Sequence, residues 1–278
     1  MGVQGDLEYL AGLVAESAGC LPDETIGSLL DLCLEAVEVD LPCTLRVFDA
    51  GVFRACIPLC QLPEAWANLN HIVCSHDYDA YPGYRPGRGW VVLDVGAYLG
   101  FYSLYAAALG AEVYAFEPNP AARTAIRCGA EESGVAGRVV IDHRAVCGPG
   151  RRLAVIRVTE YWATSSMLPG YASRMGRVVD LVEAPCTTIA EAVRFYQLER
   201  VDLVKVDVEG AELEVLEGLE GAEAPVERLV VEVHPGAVSV DAVKKLLSGQ
   251  GYRVEYSRRV SEGQLVLYAR LRRRGGGG

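Results

Sequence analysis

Val91-Val92-Leu93-Asp94-Val95-Gly96-Ala97-Tyr98-Leu99-Gly100-Phe101 is the stretch of the sequence that decides the fold. The apolar run at 90–95 predicts a buried strand, and the apolar residues after the second glycine predict a helix. A glycine at a strand end lets the backbone approach a ligand, and a second glycine lets the turn into the helix close tightly. The three-glycine pattern that binds a pyrophosphate is missing. The stretch therefore predicts a strand, a ligand-binding loop and a helix.

Alternating strand and helix patterns continue outward from this loop. Short runs rich in Val, Leu and Ile predict buried strands at 90–95, 112–116, 138–143, 201–207 and 228–233, with helices near 101–109, 120–132, 211–218 and 240–249. This alternation is typical of an α/β protein with a doubly wound, mostly parallel sheet. Segments 252–260 and 264–271 predict a C-terminal antiparallel hairpin in that sheet. A seven-stranded sheet that ends this way resembles the Rossmann-like class I methyltransferases, which use S-adenosylmethionine.

Residues 1–88 have a different pattern, which predicts a small N-terminal α+β region. Two helical patterns come first, and segments 45–48 and 52–57 around Asp49-Ala50-Gly51 predict a hairpin. Residues 76–89 are rich in Tyr, Pro and Gly and are predicted to be a linking loop. We therefore expect two parts, 1–88 and 89–278, of which the second is the cofactor-binding domain.

An acidic residue follows the second strand of that domain, in Phe116-Glu117-Pro118-Asn119. A carboxylate at this place can accept hydrogen bonds from both hydroxyls of a ribose, which NAD and S-adenosylmethionine share. Asp94 beside the glycine loop would suit a cationic ligand. The segment after the third strand, His143-Arg144-Ala145-Val146, is expected to border the adenine. The expected cofactor-binding residues are Asp94, Gly96, Ala97, Tyr98, Gly100, Glu117, Pro118, Asn119, Arg144, Ala145 and Asp207.

Four ionisable residues follow the next two strands. The segments 204–212 and 230–235 place Asp207, Glu209, Glu232 and His234 after neighbouring strands. The carboxyl ends of parallel strands open into the ligand crevice of such a sheet. We therefore expect these four side chains to converge at the reacting centre as the catalytic residues.

Four motifs together resemble the FkbM-type methyltransferase family. They are Asp-Val-Gly-Ala-x-x-Gly from Asp94, Phe-Glu-Pro-Asn-Pro from Phe116, Asp-Val-Glu-Gly-Ala-Glu from Asp207, and Glu-Val-His from Glu232. The resemblance implies methyl transfer from S-adenosylmethionine to a hydroxyl of a sugar or another small natural product. The chain departs from the family pattern at Tyr98, where the family usually has Asn, and at 189–190, where it usually has Leu-Asp. The stretch 164–166 matches a small-hydroxyl segment of the family.

The chemistry of such a transfer needs a proton acceptor near the acceptor hydroxyl. His234 is our first choice for that base, because the unperturbed pKa of histidine lies near neutrality. A divalent ion held by Asp207, Glu209 or Glu232 is an alternative way to acidify the hydroxyl, although we expect no metal in the site.

Two other functions share part of these features. An NAD(P)-dependent oxidoreductase would use the same loop and ribose acid, but the missing third glycine and the terminal hairpin argue against it. An RNA or protein methyltransferase is supported only by the basic residues at 270–274.

The charge of the chain is unevenly distributed. Residues 1–88 contain 13 Asp and Glu against 4 Lys and Arg, whereas the whole chain has a net charge of −11. An acidic surface repels phosphate backbones, so we expect a small-molecule or glycan acceptor rather than nucleic acid. The acidic segment is expected to choose the acceptor or to form a subunit contact in a homodimer. Tyr78, Tyr81 and Tyr84 could stack on sugar rings there.

Composition places the chain among soluble globular proteins, with 51% hydrophobic and 23% charged residues and no apolar run long enough for a membrane span. We expect a cytoplasmic protein. Its few Asn and Gln and its preference for Arg over Lys are typical of thermophilic proteins. The nine cysteines are expected to be mainly buried small hydrophobic residues, with disulfides as an alternative. A zinc site at Cys56, Cys60, His71, Cys74 and His76 fits no spacing of a closed site.

Overall fold

The computed structural model describes residues 3–38, 41–261 and 264–272 of the chain. The N-terminal region comes before the strands of the main sheet. It contains α1 (Val3–Ser17), α2 (Asp23–Glu38), β1 (Leu45–Asp49), β2 (Arg54–Pro58) and α3 (Leu62–Val73). Strands β1 and β2 pair antiparallel, which confirms the predicted hairpin. Helix α3 was not expected from the sequence. It buries Trp66 and Leu69 completely, so it is held by packing against the rest of the N-terminal region.

The remaining strands are β3 (Val91–Val95), β4 (Glu112–Phe116), β5 (Val139–Asp142), β6 (Ala145–Val146), β7 (Leu153–Thr159), β8 (Val178–Thr187), β9 (Leu203–Val206), β10 (Arg228–Val233), β11 (Tyr252–Ser261) and β12 (Gln264–Leu271). Seven of them form one sheet in the order β11-β12-β10-β9-β3-β4-β5. Strands β3, β4, β5, β9 and β10 are parallel to their neighbours within this set. Strand β12 is antiparallel to β10 and to β11. The predicted mostly parallel sheet with a terminal hairpin is therefore confirmed.

Helices cover both faces of this sheet. They are α4 (Phe101–Ala108), α5 (Pro120–Glu132), α6 (Pro169–Met175), α7 (Ile189–Phe195), α8 (Glu212–Glu217) and α9 (Val240–Gly249). One core contains side chains of α4, α5 and the N-terminal region, and the other contains side chains of α7, α8 and α9. Helix α7 begins with a capping box, in which the side chains of Thr188 and Glu191 accept hydrogen bonds from each other's backbone N–H groups. Strands β6, β7 and β8, which lie between β5 and β9 along the chain, form a separate sheet.

Eight of the nine cysteines form disulfides, which corrects the expectation that they are mainly buried small hydrophobic residues. The pairs are Cys20–Cys74, Cys43–Cys60, Cys56–Cys128 and Cys147–Cys186, and Cys33 is buried and unpaired. Because each of their sulfurs is bonded to the sulfur of another cysteine, Cys56, Cys60 and Cys74 cannot serve as thiolate ligands of zinc.

Part of the sequence-based expectations falls outside the described ranges. Residues 262–263 of the predicted hairpin turn, residues 273–274 of the basic stretch and the glycines 275–278 lie outside those ranges. Within the described ranges, no helix combines the length and the apolar character that a bilayer crossing requires.

Candidate active site

A cavity of about 360 Å³ opens at the carboxyl ends of the central parallel strands. Val95 ends β3, Phe116 ends β4, and Asp207 and Glu232 lie at the ends of β9 and β10; all four line the cavity. The opposite wall comes from α1, α3 and the segment 162–167. This is the ligand crevice expected of a doubly wound sheet, closed on one side by the N-terminal region.

The glycine loop after β3 is fixed by contacts that leave no room for a side chain. Gly96 has φ of +77°, and a Cβ added there would lie 1.8 Å from the backbone oxygen of Asp207. Gly100 has φ of +79°, and a Cβ there would lie 2.8 Å from Ile126 of α5. Gly96 lines the cavity, whereas Gly100 and Ala97 do not. The first glycine thus serves the ligand site and the second the packing of two helices.

Glu117 lies at the end of β4 with its carboxylate already held in place. Its two oxygens accept hydrogen bonds from the backbone N–H groups of Tyr98 and Asn119, at 2.9 and 2.7 Å. Burial raises the pKa of Glu117 to about 7, against the opposing effect of these hydrogen bonds and of Arg123. The side chain lines the cavity, as do Pro118, Asn119 and Tyr98. An oriented carboxylate with free lone pairs is suited to a ribose diol.

Two residues expected at the cofactor lie behind the cavity wall. Asp94 is fully buried and accepts a hydrogen bond from Ser103 at 2.6 Å, with Lys205 3.3 Å away. Arg144 forms a pair with Asp142 and lies over the ring of Phe195, 4.3 Å from its centroid. Neither lines the cavity, whereas Ala145 does. Side chains alternate between the faces of a strand, so an acid near the loop in sequence need not face the ligand.

The structure brings the four expected catalytic residues together. The Nε2 atom of His234 lies 3.4 Å from Glu209, 3.7 Å from Glu232 and 4.0 Å from Asp207. Its Nδ1 atom lies 2.7 Å from the carboxylate of Glu212, which is fully buried. Asp207, Glu209 and Glu232 line the cavity, whereas Glu212 and His234 do not.

This surrounding determines the charge of His234. Burial alone would lower the pKa of the imidazole, but the hydrogen bonds to Glu209 and Glu212 and the neighbouring negative charges raise it to about 12. These acids favour the protonated imidazole, which has no free nitrogen to accept another proton. His234 also does not line the cavity. Both observations favour another group as the base, and the catalytic role of His234 stays a prediction.

Lys205 joins the glycine loop to the acids. Its ammonium group donates a hydrogen bond to the backbone oxygen of Gly96 at 2.9 Å and lies 3.4 Å from Asp207. Burial would lower its pKa, but Asp94, Asp207 and Glu232 outweigh burial and keep the pKa above its usual value. The sequence analysis did not single out this buried cation. Its position within a Val-rich strand was the available signal, because a lysine in a buried strand needs acidic partners.

The same acids have a spacing that a metal ion could use. Asp207, Glu232 and His234 each place one ligand atom within 4.8 Å of the others. Lys205 and the protonated His234 already supply two positive charges to this cluster. We therefore assign no metal to the site.

Of the three tyrosines in the linking loop, only Tyr78 reaches the site. Its hydroxyl lies 2.5 Å from Glu232 and 3.1 Å from Asp207. Tyr81 and Tyr84 instead pack against each other and against Tyr268 of β12. Tyr84 is buried between the loop and the terminal hairpin, Tyr81 packs at the edge of the same core, and neither lines the cavity.

The wall formed by the N-terminal region contains residues that the sequence analysis missed. Among the described residues, Tyr9 of α1 and Glu64, Asn68 and His71 of α3 line the cavity opposite the sheet. Trp162, from the segment 162–167, also lines it. The expected small-hydroxyl stretch 164–166 lines it as well. The apolar spacing at 65, 66, 69, 72 and 73 was the signal for α3, because it follows one face of a helix.

The fold and the site define an α/β protein with a cavity at the carboxyl edge of a doubly wound sheet, beside a cluster of acids. Residues 94–254 match the family model described as the methyltransferase FkbM domain. The chain belongs to this family of methyltransferases, which confirms the resemblance drawn from the motifs.

Curated relatives of the chain include methyltransferases from bacteria and fungi. The chain is 30% identical over 201 residues to "31-O-demethyl-FK506 methyltransferase FkbM" of Streptomyces tacrolimicus, which covers 61% of this chain and 74% of that protein. It is 29% identical over 205 residues to "Methyltransferase 1" of Beauveria bassiana, covering 65% of this chain and 78% of that protein. A similar solved structure, "putative transferase PH0793" from Pyrococcus horikoshii, has a TM-score of 0.49 and 14% identity, covering 87% of this chain and 81% of that chain.

Proposed function

We propose that the protein transfers the methyl group of S-adenosylmethionine to a hydroxyl oxygen of a sugar or another small natural product. The observation that carries this proposal is the charge of the cavity. Five acids line it, Glu64, Glu117, Asp207, Glu209 and Glu232, and within the described part of the chain no Lys or Arg does. Such a cavity favours a donor with a cationic sulfonium and disfavours the pyrophosphate of NAD.

Glu117 is the proposed contact of the ribose, and Gly96 allows the ligand to approach the backbone. The acceptor would then lie between the acids and the wall formed by α1 and α3. The relative from Streptomyces tacrolimicus, whose name describes an O-methylation, supports oxygen as the receiving atom. The acidic N-terminal region supports a neutral or cationic acceptor over RNA.

In the proposed reaction, the acceptor oxygen attacks the methyl carbon in line with the carbon–sulfur bond. The oxygen–carbon bond forms, the carbon–sulfur bond breaks with its electron pair left on sulfur, and the hydroxyl proton moves to a carboxylate. Glu232 is the proposed proton acceptor, because it lines the cavity and its pKa lies near neutrality. Burial and Asp207 raise that pKa to about 8, against the effects of His234 and Tyr78. Positioning of the two substrates supplies the larger part of the rate enhancement.

Two measurements test this proposal. Thermal unfolding with S-adenosylmethionine, S-adenosylhomocysteine or NAD should show stabilisation by the first two, by about 2.7 kcal/mol at a hundredfold excess over Kd. Stabilisation by NAD alone would overturn the proposal. Methyl-labelled donor should then be incubated with panels of sugars, hydroxylated metabolites, RNA and protein. Label in RNA or protein, and none in the small hydroxylated molecules, would replace the proposed acceptor class by one of the alternatives.

A further inference from the structure

Tyr78 connects the N-terminal region to the acids at the reacting centre. It lies outside the matched residues 94–254, in the loop between α3 and β3. Its side chain is buried, with the ring edge against Tyr102 at 5.5 Å between centroids and the ammonium of Lys205 at 5.2 Å from its own centroid. The ring is therefore fixed on two sides, and the hydroxyl is held at one place in the cavity wall.

The hydroxyl of Tyr78 has one proton and two carboxylate neighbours. Glu232 lies 2.5 Å away and Asp207 3.1 Å away, so Tyr78 donates to Glu232 and only approaches Asp207. These acids end two adjacent strands, β9 and β10, and no other hydroxyl among the described residues bonds to either of them. The other charged groups that face Glu232 are Asp207, Glu209, His234, Lys205 and His71.

We propose that Tyr78 is a positioning residue that sets the charge of the Asp207–Glu232 pair next to the methyl group being transferred. This inference rests on the proposed function, because the pair acts on a sulfonium only if S-adenosylmethionine binds here. It gives the N-terminal region a part in the chemistry, besides forming a wall of the cavity.

The electrostatics agree with this role. Burial raises the pKa of Tyr78 well above its usual value, so the phenol stays protonated and remains a donor. Its hydrogen bond favours the ionised form of Glu232 and thereby opposes the effects of burial and of Asp207. Removal of the hydroxyl should therefore leave Glu232 protonated to higher pH and the pair less negative near neutrality.

The affinities of two ligands report the charge of the Asp207–Glu232 pair in an experiment that needs no methyl acceptor. S-adenosylmethionine has a positive sulfonium, whereas S-adenosylhomocysteine has a neutral thioether at the same place. Calorimetric titration of the full chain with each ligand between about pH 6 and pH 9 gives the ratio of the two Kd values. In the natural protein, the preference for S-adenosylmethionine should rise about tenfold or more as Glu232 ionises. In Tyr78→Phe, the midpoint of this rise should move up by about one pH unit.

Tyr84→Phe is the matched control, since Tyr84 is also buried and donates to a glutamate, Glu255, at 3.0 Å outside the cavity. Its midpoint should equal that of the natural protein. An unchanged midpoint in Tyr78→Phe, with both Kd values altered equally at every pH, would show a packing role and overturn the inference.

A second variant keeps the test decisive if Tyr78→Phe does not fold. Glu232→Gln should abolish the rise in preference, and a rise that persists in this variant would also overturn the inference. Failure of the natural protein to bind either ligand would instead overturn the proposed function itself. The two failures are therefore distinguishable.

Discussion

The N-terminal region and the sheet domain that begins at residue 91 are stabilised by different interactions. The domain from residue 91 has a seven-stranded sheet with a helical layer on each face, so its stability comes from burial of apolar side chains. In its described residues, 3–38 and 41–88, the N-terminal region has one two-stranded hairpin and three α-helices, and three of the four disulfides have a cysteine there. A short region with few strands gains more from covalent links, because they restrict its unfolded state. The N-terminal region, which forms the cavity wall opposite the sheet, thus depends more on covalent links than the sheet domain does.

The largest effect is expected inside the sheet domain, from Gly96→Ala. A methyl group there would overlap the backbone oxygen of Asp207 at 1.8 Å, and the φ of +77° disfavours any side chain. We expect the free energy of unfolding to fall by about 3 kcal/mol. Affinity for S-adenosylmethionine should fall by about a hundredfold or more, which is about 2.7 kcal/mol.

Gly134→Ala is the control for Gly96→Ala, because Gly134 also has positive φ, at +66°, but its Cβ would meet no atom within 4 Å. Chemical denaturation and calorimetry of both variants separate backbone conformation from overlap. Equal losses in the two variants would show that the contact with Asp207 is unimportant.

The second-largest effect is expected in the N-terminal region, on removal of one of its disulfides. Cys56–Cys128 links β2 to α5 and closes a loop with a sequence separation of 72. Cys56→Ser with Cys128→Ser should lower the free energy of unfolding by about 2 to 4 kcal/mol and reduce methyl transfer. Affinity for S-adenosylmethionine should change little, because Gly96 and Glu117 lie on the sheet.

The matched pair for this prediction is Cys147→Ser with Cys186→Ser, which opens a loop of separation 39 outside the N-terminal region. The free energy of unfolding of this variant should also fall by about 2 to 4 kcal/mol, while the cavity wall formed by α1 and α3 stays in place. If Cys56→Ser with Cys128→Ser weakened the binding of S-adenosylmethionine as much as it reduced methyl transfer, the N-terminal region and the sheet would not have separate effects on the two activities.

A moderate effect is expected from the pH dependence of Glu117. Its pKa is raised to about 7, and hydrogen bonds from ribose hydroxyls favour the ionised carboxylate. Affinity for S-adenosylmethionine and S-adenosylhomocysteine should therefore be complete above pH 7 and decline together as the pH falls through that value. Glu117→Gln should weaken both ligands by about tenfold at pH 8 and remove the decline.

Because both ligands contain the ribose, the Glu117 effect leaves their ratio unchanged, whereas the Glu232 effect changes the ratio. Calorimetry with the two ligands distinguishes these acids. A Glu117→Gln variant that still loses affinity on acidification would assign the decline to another group.

The smallest effect is expected at the wall formed by α3. Asn68 lines the cavity opposite the acids and lies outside the matched family region. Asn68→Ala should raise the KM of an acceptor found in the labelled-donor screen by about threefold to tenfold, as expected for one lost hydrogen bond. The Kd of S-adenosylmethionine should stay constant. A change in that Kd with no change in KM would place Asn68 at the donor instead.

The sheet and its carboxyl-end acids could be predicted from the sequence because both follow from local patterns. Apolar runs identify buried strands, and parallel strands end at one edge, so Asp207 and Glu232 had to meet. The raised pKa of His234 could not be predicted, since it depends on hydrogen bonds with Glu209 and Glu212 that form only in the folded chain. Glu212 comes from the start of α8 and has no sequence signal for this contact. The place of Tyr78 depends on packing between regions, and the cysteine pairings depend on the folded chain path.

The link between Cys56 and Cys128 has a topological consequence. Strands β3 and β4 with helix α4 lie between the two linked residues, and so do Gly96 and Glu117. The two proposed donor contacts, Gly96 and Glu117, therefore lie in a stretch of chain that the disulfide closes into a covalent ring. A single cut of the backbone between residues 57 and 127 would open that ring without releasing a fragment, and the two pieces would separate only after reduction.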